Sequence, residues 1–112
     1  MTSSTIDATV FAELQDSAGA DFVSELVVTF ADEEAPQMLA ELRDALAAGS
    51  AERFRRAAHS LKSNAMTFGA LPLGEQARTL ELGGLPAHAA PIDALQAELD
   101  RATQALKGLC RG

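Results

Sequence analysis

Tryptophan and tyrosine are absent from the 112 residues, and cysteine occurs once. Few β-branched residues fall in runs. Ala, Leu, Glu, Gln and Arg are plentiful, so propensity favours helix and gives strands almost no support. Cys110, alone, closes no intramolecular disulfide and builds no cysteine-based metal site. No apolar stretch approaches the roughly 20 residues that span a bilayer, which argues against membrane insertion. The leading segment MTSSTIDATV has neither a basic start nor an apolar signal core, so a cytoplasmic location is expected. Basic residues are also few: nine Lys and Arg face sixteen Asp and Glu, a formal charge of -7. Such a surface repels a phosphate backbone and excludes nucleic acid as a partner over most of its area. The length suits one domain, residues 1–112. Met1 and the lack of a linker favour a free protein, and an acidic monomer is the simplest oligomeric state.

What is present is helical periodicity. Ile6, Val10, Phe11 and Leu14 give one apolar side to a short helix over about residues 5–16, which Gly19 would end. A longer helix is expected over 21–47, with Phe22, Leu26 and Phe30, then Leu39, Leu42 and Leu46, on its inner side. Pro36 lies between the two sets and predicts a kink there or a break just before it. Gly49 and Ser50 read as a stop and an N-cap, opening a helix over 51–68 with Phe54, Ala58, Leu61, Ala65 and Phe68 inward. A helix over 71–82 carries Leu73, Ala77 and Leu80, with Pro72 in its first turn. After the loop GGLPAHAAP, the last helix covers 92–108, from Ile92 through Leu95, Leu99, Ala102 and Leu106, and closes near Gly108. The predicted fold is all-α: an antiparallel four-helix bundle with a short additional N-terminal helix. That architecture alone specifies no function.

One residue stands apart. With about 100° per residue, the core positions of the 51–68 helix lie within about 40° of Phe54, whereas His59 lies about 140° away. Arg55, Lys62, Ser63 and Met66 share its outward face. Arg53, Arg55, Arg56 and Lys62 are four of the nine basic residues, and no acid occurs between Glu52 and Glu75. A histidine in such a cationic island is suited to holding an anion such as a phosphoryl group. On geometry and charge alone, an inert surface histidine fits as well. A metal-binding bundle is disfavoured, because Arg56 stands where a Glu-x-x-His pair needs its carboxylate. His88, in the Gly and Pro loop, reads as exposed and incidental.

The segment AAHSLKSNAMTFGALPLGEQARTLE resembles the signature of histidine-containing phosphotransfer domains of two-component phosphorelays. It has H-x-L-K, a small residue after the lysine and a closing Gly-Ala pair, Gly69 and Ala70. The likeness extends to DFVSELVVTFADEEAPQMLAELRDAL, which is similar to the family's Pro-containing second helix. There is one departure: Ser63 and Asn64 follow the lysine where Gly and a second small residue are usual. Gly there would let a partner's backbone approach closely, so Ser63 narrows the approach and alters partner preference.

The resemblance implies that His59 accepts a phosphoryl group from a receiver-domain aspartyl phosphate and passes it to another receiver. No kinase activity, cofactor or metal of its own is implied, since the receivers bring Mg²⁺ and a lysine and no glycine-rich nucleotide loop is present. By the same likeness Lys62 stabilises phosphoryl charge, with Arg55 or Arg56 as helpers. Glu81, at the position where the family faces the histidine with Glu or Gln, orients the imidazole. Met66, Val10 and Phe11, beside Ser63, are the candidates for receiver docking. The competing expectation is a non-catalytic helical adaptor that binds a signalling partner without phosphotransfer.

Overall fold

The computed structural model describes residues 5–111. Helix α1 runs Ala8–Ala18, later than the expected 5–16. The start is fixed by Asp7, whose Oδ1 accepts the N–H groups of Thr9 (2.9 Å) and Val10 (3.3 Å) and so satisfies two otherwise unpaired first-turn donors. Gly19 ends α1, and α2 (Ala20–Thr29) begins at once.

The segment around Pro36 neither breaks nor simply kinks. Between α2 and α3 (Ala35–Ala48) the backbone widens into a π-helical turn, Phe30–Glu34. Pro36 has no N–H to give, and its ring crowds the carbonyl four residues back. One wide turn upstream relieves this, and the Ala35 N–H reaches back to the Phe30 carbonyl. The inner stripe of α2 is also rotated from expectation. Val23, Val27 and Phe30 are fully buried, while Phe22 is 53% exposed and Leu26 only partly covered. Both sets fit a helical period; packing against α6 selects the valines.

Helix α4 (Ala51–Phe68) is capped by Ser50, whose Oγ accepts the Arg53 N–H. Its predicted stripe is buried together with Ala57. It closes through Gly69, with the Ala70 N–H returning to the Ala65 carbonyl at 2.8 Å. The peptide of Gly69 then ties the chain's beginning to this corner, because its carbonyl accepts the Asp7 N–H at 2.8 Å. Helix α5 is Leu71–Gly83, with Pro72 in its first turn, and α6 is Ala90–Arg111.

Helix α6 passes through Gly108 instead of ending there. An interior glycine costs about 1 kcal/mol relative to alanine, but the residues flanking it are held. Leu106 is fully buried, Cys110 packs on the core, and Lys107 reaches Asp32 at 2.9 Å.

These helices form a four-helix bundle with one short leading helix. The continuous rod of α2, π-turn and α3 counts as one member. Helix α4 packs against α3 and α5, α6 against α2, α3 and α5, and α1 lies on α2 and α4. Phe30 and Phe68 meet at the centre, ring centroids 5.3 Å apart, a tilted pair worth about 0.5–1.5 kcal/mol beyond its burial. None of the described helices is long and apolar enough to cross a membrane.

Candidate functional site

The buried stripe of α4 dictates its opposite face. Ala58 and Leu61 point inward at zero exposure, and one residue past Ala58 the helix turns about 100° outward to His59, whose side chain is 53% exposed. The neighbouring helix supplies its partner. Glu81, on the last turns of α5, lies with only 12% of its side chain exposed and places Oε2 2.8 Å from His59 Nδ1.

The charge state of Glu81 follows from its surroundings. Glu81 is held below the usual carboxylate range, chiefly by the hydrogen bond from His59 and then by Lys62, against a smaller opposing effect of burial. An ionised carboxylate only accepts hydrogen bonds, so Nδ1 carries the proton and donates it. In the neutral imidazole this leaves the lone pair on Nε2.

Lys62, one turn beyond His59, is a quarter exposed. Its Nζ lies 3.1 Å from the other Glu81 oxygen, Oε1. The approach is an ion contact and not an aligned hydrogen bond, for Oε1 is otherwise buried without a hydrogen-bond partner. Glu81 thus joins His59 and Lys62 through its two oxygens.

The cationic island of the linear sequence is largely compensated in three dimensions. Arg53 is clasped by Glu41 of α3 at 2.8 and 2.9 Å. Arg55 reaches Glu52 at 2.7 Å, and Arg56 approaches the same carboxylate at 3.7 Å. These pairings hold the Glu41 and Glu52 carboxyls below their ordinary values, through Arg53 and Arg55 respectively. Glu41 and Glu81 come from adjacent helices, beyond the acid-free interval, which is why a linear charge count missed them. Arg56, with a side chain 67% exposed and only a long ion contact, is the most available of these three arginines.

The structure does not place every docking candidate on the surface. Ser63 and Met66 are exposed on the His59 face of α4. Val10 is half-buried against Gly69. Phe11 belongs to the core at 2% exposure and offers a partner nothing: α1 needs an inward anchor to dock on α2 and α4, and Phe11 is its most deeply buried residue. His88 is exposed in the loop before α6, where Nδ1 accepts the Ala90 N–H at 3.4 Å. Gly74 was not singled out by sequence reasoning, although it is buried beneath Met66. A glycine inside a helical pattern is the signal that points to it.

Residues 17–105 match the family model of the Hpt domain. The chain belongs to the Hpt domain family. No curated protein and no solved structure gives a significant match. Hpt domains carry phosphoryl groups on histidine between receiver domains of response regulators and hybrid kinases, and have no kinase activity of their own. The matched range takes in α4 and α5 entirely, and with them His59, Lys62 and Glu81. Most of α1, including Val10 and Phe11, precedes it.

Proposed function

We propose that His59 is the phosphoacceptor of this Hpt domain and that Glu81 and Lys62 are its supports. The observation that carries this reading is the 2.8 Å contact from Nδ1 to a largely covered, ionised Glu81 beneath a half-exposed imidazole. It leaves Nε2 as the nucleophile. In the forward step the Nε2 lone pair attacks the phosphorus of a receiver's aspartyl phosphate. The N–P bond forms as the acyl O–P bond breaks, and the aspartate departs as carboxylate. The Nδ1 proton stays in its bond to Glu81, whose negative charge offsets the positive charge the ring acquires. Transfer to a second receiver is the reverse of this step.

Phosphoryl transfer through a loose transition state depends mainly on alignment and nearby cations. Lys62 is one helical turn from His59, close enough to exchange its contact with Glu81 for one with a phosphoryl oxygen. Arg55 and Arg56 lie on the other side of the histidine along α4 and serve the same field. We assign Ser63, Met66 and Val10 to receiver docking and the protein to the cytoplasm, on the reading that it exchanges phosphoryl groups with receivers there.

The test is transfer from a receiver domain charged with acetyl phosphate. The wild type takes up acid-labile phosphate, and His59→Gln takes up none while its circular dichroism and melting temperature are retained. Label persisting in that variant refutes the assignment and directs attention to His88.

A further inference from the structure

Gly74 sits inside α5, buried and facing Met66 of α4. Its backbone is ordinary helix and does not belong to the positive-φ glycines. Conformation therefore does not call for glycine here, and alanine would be the better helix former. The contact does call for it. A Cβ at this position would fall 2.6 Å from Met66 Sδ, 3.2 Å from its Cγ and 3.7 Å from its Cε. The thioether occupies the space that a side chain on residue 74 would fill. Met66 lies two turns beyond His59 on the same face and is 39% exposed. An unbranched methionine has no strong shape of its own, so its place on that face is set by what it rests on.

We propose that Gly74 is a positioning residue for receiver docking. By lacking a Cβ, it seats the Met66 side chain back against α5 and so sets the contour that Met66 presents on the His59 face. It does this without touching the receiver. This rests on the reading of His59 as phosphoacceptor and of Met66 as a docking contact. The atoms that a Cβ would meet all belong to one flexible side chain, so Gly74→Ala moves Met66 outward and leaves the bundle folded.

The test combines two measurements. In the protein alone, labelled at the methyl carbons of its three methionines, Gly74→Ala shifts the Met66 resonance, identified through Met66→Leu. In phosphotransfer from an acetyl-phosphate-charged receiver that labels the wild type, Gly74→Ala raises the half-saturating receiver concentration about fivefold and leaves the saturated rate unchanged. Met66→Ala raises it similarly, and the double variant Gly74→Ala, Met66→Ala is no worse than Met66→Ala alone. An unmoved Met66 resonance overturns the proposal, as does an effect of Gly74→Ala that persists undiminished without Met66. A moved resonance with unchanged half-saturation in both single variants overturns the docking role. Failure of the wild type to take label at His59 defeats the phosphoacceptor reading instead, while the methyl resonance still reads the seat independently.

Discussion

Replacing Gly69 by alanine measures how firmly α1 is tied to the phosphoacceptor helix. Gly69 closes α4 at φ +82°, and a Cβ there would lie 2.9 Å from the Asp7 carbonyl oxygen and 3.0 Å from Val10 Cβ. The left-handed conformation costs a non-glycine residue about 1–2 kcal/mol. The neighbour is backbone and cannot swing aside, so the start of α1 must shift and strain the 2.8 Å bond from the Asp7 N–H to the Gly69 carbonyl. Losing that bond adds about 0.5–1.5 kcal/mol. The total is about 2–3 kcal/mol. Gly49→Ala supplies the control, for Gly49 closes α3 at φ +68° with nothing within 4 Å of its would-be Cβ. It carries the conformational cost alone, about 1–2 kcal/mol. Urea denaturation followed by far-UV circular dichroism gives both values. Melting temperatures should fall by about 10 °C for Gly69→Ala and about half that for Gly49→Ala. If the two variants lose equal stability, the contact between α1 and the α4 corner contributes nothing and the reasoning fails.

Two further predictions concern the carboxylates. Glu81→Ala removes the acceptor that fixes the His59 tautomer, and single-turnover transfer from a charged receiver should slow by about 10- to 100-fold. Glu81→Gln, which keeps an acceptor but not the charge, should fall between that variant and the wild type; a wild-type rate in Glu81→Ala would remove the tautomer argument. Glu41, Glu52 and Glu81 all have carboxyls below the ordinary 4.5 in the fold, held there by Arg53, by Arg55, and by His59 with Lys62. Depressed folded-state values mean that their stabilisation is complete above pH 4.5 and is lost as pH falls through the lower folded values. Urea midpoints should therefore decline below that pH, and less steeply in Glu41→Gln; identical slopes in the variant and the wild type would show that the Glu41–Arg53 pair is not a source of acid lability.

Local periodicity determined most of what lies along a single helix. It placed α4 over residues 51–68 with Phe54, Leu61 and Phe68 inward, and it put His59 outside, because a rigid 3.6-residue turn converts spacing directly into direction. Glu81 was reached through resemblance and not through spacing, since no local rule aims a side chain across the gap between two helices. Only the tertiary structure decided the matters that depend on that gap. Packing of α5 on α4 brought the Glu81 carboxylate within 2.8 Å of Nδ1, and packing of α3 on α4 brought Glu41 onto Arg53, so an acid-free interval became a compensated surface. Helix contacts also chose Val23 and Val27 over Phe22 for the interior and committed Phe11 to the core. They carried α6 through Gly108, because burial of Leu106 and packing of Cys110 on the core outweighed the local preference to stop. Charge compensation and burial are settled by the neighbours that folding supplies, and those neighbours are distant in the sequence.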